Sequence, residues 1–274
     1  MKLLIHSENA EYQIIESLKL NRVKRAKARE LFIEGIESIK QAIKARVEIS
    51  RIIITNSNTI SDWAKEVIAK NRDAKIIEMA PELYNKLCDR NNPSEMLVTA
   101  KIDPWPSALQ LADLRLPEKP FILLFDRPSD GGNLGSILRS ANAFNADALF
   151  VMGHAVDIYD PKVIRASLGS IFYTPTLLIP SLNEIEAFIQ TEKAKNNMTV
   201  LGTDSGGELS LPGLKLKRPI MLIIGNEAKG ISVALKALCD GIIRIPITGD
   251  VNSLNVASAA SIVMWEVYKN TLNA

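Results

Sequence analysis

The sequence predicts an α/β protein of two domains, and three observations carry that expectation. A chain of 274 residues with 47% hydrophobic content is long enough to bury a sizeable core and divides more naturally into two domains than one. Strand-like apolar runs alternate with helix-period stretches along most of its length, the pattern of sheets covered by helices. Between them Pro104, Pro106, Pro117 and Pro120 break regular structure and hold their preceding residues extended, so the boundary falls there. The reading is a first domain over residues 1–103, a linker over 104–119 and a second domain over 120–274.

In the first domain, residues 51–55, 75–78 and 96–100 are β-rich runs of a small α/β unit. Residues 60–69 carry apolar side chains at helical spacing. Pro81 suits the first turn of a further helix, where its missing N–H costs little. In the second domain, residues 121–125, 148–152, 199–202, 220–224 and 242–245 are near-continuous apolar runs, as expected of parallel strands buried on both faces. The last segment, 255–272, lacks Gly and Pro and begins with the small residues Ala257, Ser258, Ala259, Ala260 and Ser261. Such a face suits close packing, either within the chain or between subunits.

Charge is nearly balanced, 33 basic against 31 acidic residues for a net +2, so the bulk numbers do not call for a nucleic-acid partner. One local exception is the run Lys19, Arg22, Lys24, Arg25, Lys27 and Arg29, which no acidic residue interrupts. It reads either as a solvated face or as a set of phosphate contacts. Cys88 and Cys239 are far apart, sit in no metal-ligand spacing and read as small buried residues; no metal is expected. Met1–Ile5 is too short for a signal peptide and no run approaches the ~20 apolar residues that span a bilayer, so a cytoplasmic address is expected.

Three segments of the second domain place polar or backbone-permissive residues at the ends of predicted strands, where α/β sheets bind ligands. The first is Asp126-Arg127-Pro128-Ser129-Asp130-Gly131-Gly132-Asn133-Leu134-Gly135, entering a helix that carries Arg139. Its glycines suit simple turns, and its helix start suits an anion. The second is Gly225-Asn226-Glu227-Ala228-Lys229-Gly230, directly after an apolar strand. The third runs from Ile245 through Ser253-Leu254-Asn255 into the last helix, where Ser253 or Asn255 would serve equally as an N-cap. No GxGxxG or GxxxxGK[ST] phosphate fingerprint is present, which disfavours a doubly wound small-molecule enzyme using another nucleotide.

Taken together and in this order, the three segments resemble the motifs of the SpoU-TrmH branch of the SPOUT methyltransferases. The likeness is most specific in Ser253-Leu254-Asn255-Val256 and in Gly225-Asn226-Glu227 with Gly230, and residues 160–169 are similar to the family's connecting segment. The first domain resembles the ribosomal-protein-like α/β substrate-binding domain often fused ahead of it. Its best trace is Arg29 to Ile36, with Phe32, Glu34 and Gly35. Asn92-Pro93-Ser94-Glu95 stands where many relatives carry a Gln-Gly pair.

The resemblance implies an RNA ribose 2′-O-methyltransferase that uses S-adenosylmethionine, with a parallel sheet, a deep C-terminal trefoil knot and a homodimer. It places Thr203, Ile224, Gly225, Gly230, Ile245 and Leu254 at the cofactor, and Asn133, Arg139, Glu227, Ser253 and Asn255 at the reacting centre. Arg139 is then favoured as the group that activates the ribose hydroxyl, although a guanidinium stays protonated and a phosphate grip is the competing role. Arg22, Lys24, Arg25, Lys27, Arg29 and Arg165 are the expected RNA contacts. Ribosomal RNA is the expected partner. A transfer RNA methyltransferase and a non-catalytic ribosome-assembly factor are the alternatives.

Overall fold

The structure is a computed structural model that describes residues 2–55, 60–89, 93–103, 110–250 and 253–272. The chain forms two compact units, Met1–Trp105 together with Asp157–Phe172, and Pro106–Val156 together with Tyr173–Ala274. Asn92 and residues 104–109 of the linker lie outside the described residues.

The first unit is a sheet with helices. Its strands are β1 (Lys2–Ile5), β2 (Glu30–Glu34), β3 (Glu48–Thr55), β4 (Lys75–Met79) and β5 (Met96–Lys101), in the order β1-β4-β3-β5-β2. Strands β1, β4 and β3 are parallel, whereas β5 runs antiparallel to both β3 and β2. The helices are α1 (Ala10–Leu20), α2 (Arg22–Ala28), α3 (Ile36–Lys44), α4 (Asp62–Lys70) and α5 (Pro81–Leu87). Local chemistry sets their starts: Asn9, Asn21 and Ser61 cap α1, α2 and α4 by accepting from the Tyr12, Lys24 and Ala64 amides, and Pro81 opens α5. Tyr12, Ile15, Leu18, Phe32, Ile53 and Ile77 fill the core.

The rest of the chain runs β6 (Phe121–Asp126), α6 (Gly131–Ala143), β7 (Ala148–Met152), α7 (Pro161–Ala166), β8 (Thr176–Ile179), α8 (Leu182–Asn196), β9 (Thr199–Thr203), β10 (Leu209–Ser210), β11 (Ile220–Ile224), α9 (Val233–Lys236), β12 (Gly241–Arg244) and α10 (Val256–Leu272). Its strands form one parallel sheet in the order β10-β12-β9-β11-β6-β7-β8. Every residue of β6 and β11 is buried, which accounts for their unbroken apolar runs. Ala257 and Ala260 are buried on α10, which neighbours α6, and the Ser140 and Ser261 hydroxyls meet at 2.7 Å between those helices.

Helix α7 belongs to the first unit, whose chain composition is therefore discontinuous. Ser38 Oγ donates to the Ile164 carbonyl at 3.3 Å, and a Cβ on Gly169 would lie 2.6 Å from the Gln41 Cβ, so this segment is fitted closely to α3. Cys88 and Cys239 are free thiols, pushed up by burial to about 12 and about 11, and are inert as nucleophiles at neutral pH.

Candidate functional site

Because every strand pair of the second sheet is parallel, the strand carboxyl ends share one edge. Strand order reverses at β6, with β7 and β8 on one side and β11, β9, β12 and β10 on the other. A crevice at such a reversal is where open α/β sheets bind ligands. The segments after β6, β11 and β12 all open on that edge, and they are the three polar segments singled out in the sequence.

Hydrogen bonds tie these segments together. Asp130 caps α6 by accepting from the Asn133 amide at 2.9 Å. The Asn133 side chain donates to Glu227 Oε1 at 3.2 Å, and its carbonyl oxygen accepts from Asn255 Nδ2 at 2.9 Å. Asn255 also caps α10, accepting from the Ala257 and Ser258 amides at 2.9 and 3.3 Å. It is thus both the helix cap and a bridge to the first segment. Glu227 further accepts from the Ser129 hydroxyl at 2.7 Å. Burial alone would raise the Glu227 pKa, but the bonds from Ser129 and Asn133 outweigh it and hold the carboxyl below its ordinary range.

Beside this bridge lies a cavity of about 340 Å³. Ile245, Ile247, Leu254, Val256 and Ala259 give it an apolar wall, while Thr203, Asp204, Ser205 and the Gly225–Gly230 turn supply polar atoms. Its size and mixed lining suit a nucleoside-sized ligand. A Cβ on Gly225 would come within 2.5 Å of the Gly230 carbonyl carbon, so the close backbone cradle requires glycine there. A larger open groove of about 720 Å³ lies between residues 110–117 and α8. It holds none of the motif residues and lies away from the hydrogen-bonded loops, so topology and bonding, not volume, assign the site.

Thr203, Gly225, Gly230, Ile245, Leu254, Glu227 and Ser253 line the cavity. Ile224 does not: it is 1% exposed in the sheet core. Arg139 lies outside the lining too, exposed on α6 with no hydrogen bond or ion pair among the described residues. Glu227 ties the second loop to the first. Sequence reasoning missed Asp204, which lines the cavity and pairs with Lys236 at 2.7 Å. That bond holds its carboxyl below the ordinary range. Its position directly after β9 was the available signal.

One of the expected RNA contacts, Arg25, is corrected, and a second, the half-buried Arg165, is engaged in ion pairs. Arg25 is 2% exposed and donates to Asp157 at 2.7 and 3.0 Å and to the Leu18 and Lys19 carbonyls at 2.8 Å, leaving no guanidinium face for phosphate. Arg165 pairs with Glu34 at 2.7 Å, a carboxylate 1% exposed, and with Asp89 at 3.2 Å. Both hold α7 and its flanks inside the first unit. Arg22, Lys24, Lys27 and Arg29 are exposed, and Arg29 pairs with Asp103 at 2.8 Å. Among the described residues no group of His, Cys, Asp and Glu could hold a metal, and no helix is long and apolar enough to cross a membrane.

A parallel sheet whose reversal-point loops enclose a nucleoside-sized cleft, preceded by a second small sheet, defines a cofactor-binding α/β enzyme with an added recognition domain. Residues 120–265 match the SpoU rRNA Methylase family and residues 9–98 match the SpoU L30e-like domain; the chain belongs to the SpoU family. It is 35% identical, over 98% of its length and 93% of the relative's, to the 23S rRNA (uridine(2479)-2′-O)-methyltransferase of Streptomyces viridochromogenes. The crystal structure of the SpoU methyltransferase AviRb from that organism, in complex with the cofactor AdoMet, superposes with a TM-score of 0.87 at 34% identity, covering 97% of this chain and 99% of that one. An rRNA methyltransferase from Sinorhizobium meliloti superposes with a TM-score of 0.81 at 26% identity, covering 97% and 96%. The enzyme is thus a SpoU-type methyltransferase whose cofactor is S-adenosylmethionine.

Proposed function

We propose that this enzyme methylates a ribose 2′-hydroxyl of ribosomal RNA, with the cavity beside the Gly225–Gly230 turn as its cofactor site. The observation that carries the reading is the Glu227–Asn133–Asn255 chain of hydrogen bonds, which joins all three motif loops at the mouth of one cleft. S-adenosylmethionine supplies an electrophilic methyl group when bound. The protein's task is to orient the hydroxyl and assist departure of its proton.

In this reading Thr203, Gly225, Gly230, Ile245 and Leu254 hold the cofactor, largely through backbone and aliphatic surface. Asn133, Ser253 and Asn255 orient the ribose. Arg139, exposed and unpaired among the described residues, belongs to the RNA side. As its guanidinium stays protonated, it grips a phosphate of the target nucleotide rather than removing a proton. Arg22, Lys24, Lys27 and Arg29 on and after α2 form the basic face of the recognition domain. The same reading includes a cytoplasmic homodimer with a knotted C-terminal chain path. Its interface includes the half-exposed Ile262 and Trp265 of α10.

The test is mass-spectrometric mapping of ribose methylation in total RNA from cells with and without the gene, followed by reconstitution with purified protein. Loss of one 2′-O-methyl mark from ribosomal RNA, restored in vitro, is expected. A lost mark in transfer RNA would move the substrate, and no lost mark would favour a non-catalytic RNA-binding role.

A further inference from the structure

We infer that Asp126 and Arg127 act as a positioning pair that locks the Gly225–Gly230 turn into its cofactor-binding shape, an assignment that rests on the cofactor reading of that turn. The turn closes on itself through paired backbone bonds, Asn226 N to Gly230 O at 3.0 Å and Gly230 N to Asn226 O at 2.9 Å. Within it the Asn226 carbonyl oxygen Oδ1 accepts from the Ala228 and Lys229 amides, both at 3.0 Å. So small a loop still needs to be fixed to the sheet; beyond the Glu227 bonds to Ser129, Asp130 and Asn133, the fixing groups come from the end of β6.

Asp126 is 2% exposed. Its carboxylate accepts from Arg127 Nε and Nη2 at 2.8 and 2.7 Å and from the Ser232 amide, just past the turn, at 2.8 Å. Arg127 reaches the turn twice more. Its Nη2 donates to the Gly230 carbonyl at 3.2 Å, and its own carbonyl accepts from Asn226 Nδ2 at 2.7 Å. Two adjacent residues therefore hold the turn at Asn226, at Gly230 and two residues beyond it at Ser232.

The backbone of Arg127 shows what this arrangement demands. Its φ of +52° lies in the left-handed region that disfavours a non-glycine residue. A Cβ on Gly153 would lie 2.6 Å from the Arg127 Cγ, so the neighbouring strand end leaves room for the folded-back stem. The strained conformation is what brings the guanidinium between the buried carboxylate and Gly230. Glycine would relieve the strain and lose the clamp. Backbone accommodation and positioning therefore predict opposite results for one substitution.

The test is Arg127→Gly in the full chain, with S-adenosylmethionine affinity measured by calorimetry and amide exchange followed without the cofactor. The clamp predicts roughly tenfold weaker binding, the loss expected for one charge-assisted hydrogen bond. It also predicts roughly tenfold faster exchange at Asn226 and Gly230. With ribosomal RNA as acceptor, the KM for the cofactor should rise while kcat at saturation is maintained, and Arg127→Lys should recover part of the binding. Unchanged affinity and exchange would overturn the inference. If Arg127→Gly does not fold because Asp126 is left unpaired, the Asp126→Asn/Arg127→Gly double variant carries the same expectation and the same refutation. Failure of the wild-type protein to bind the cofactor would instead sink the reading of the cleft.

Discussion

Arg25 stands in the basic run read for RNA contact and Arg139 in the motif read for the reacting centre, yet the structure treats them oppositely. In the first unit the Arg25 guanidinium is buried and fully engaged with Asp157 and two helix-end carbonyls. In the second unit Arg139 is exposed and makes no polar contact among the described residues, while Asn133, Glu227 and Asn255 bond one another across three loops. A buried guanidinium must be paired, and the pairing makes it structural. An exposed one without a side-chain partner keeps its donors for a ligand. Residue type and local run therefore mark a basic segment, but burial decides which of its members can meet RNA.

The largest expected effect comes from reversing the first case. Arg25→Ala leaves Asp157 uncompensated and should cost about 3–5 kcal/mol of stability in urea unfolding followed by circular dichroism. A loss below about 1 kcal/mol would place Arg25 with surface pairs and break the comparison. Asn255→Ala removes a helix cap and the bridge to Asn133. About 1 kcal/mol of stability should go with the cap, and methyl transfer should fall further than stability does.

A smaller effect depends on pH. Because the folded Glu227 carboxyl titrates below its ordinary value of 4.5, it contributes stability that is complete above that pH. The contribution is lost as pH falls through the lowered folded value. The difference in unfolding free energy between the wild type and Glu227→Gln should therefore be present at pH 7 and shrink in this acid window; a constant difference would contradict the assigned bonds. The smallest change is in salt dependence. Lys24→Ala with Lys27→Ala should reduce the slope of log affinity for RNA against log salt by about two, leaving stability unchanged.

The second sheet was legible because buried parallel strands are continuous apolar runs: 148–152 and 220–224 coincide with β7 and β11. Helix α4 was legible from the apolar spacing of 60–69, and the start of α5 from Pro81 at a first-turn position. Strands β1, β2, β8 and β10 were not read. Strand β1 is a four-residue edge with Leu4 57% exposed, and β2 places the buried charges Glu30 and Glu34 inside a strand. Those charges make sense only with partners that the fold brings to them: Glu30 meets Arg51 across 21 positions and Glu34 meets Arg165 across 131. Such pairs leave no local pattern, so the membership of α7 in the first unit was hidden as well. At the site, the loop sequences pointed to Asn133, Glu227 and Asn255, while Asp204 carried only its place after a strand.

The most direct test of the contrast is Arg139→Ala, assayed for methyl transfer to ribosomal RNA alongside thermal unfolding and S-adenosylmethionine binding. An unchanged melting temperature, cofactor affinity close to wild type and no detectable transfer are expected. Retained turnover would remove Arg139 from the reacting centre, and a large drop in melting temperature would make it a structural arginine like Arg25.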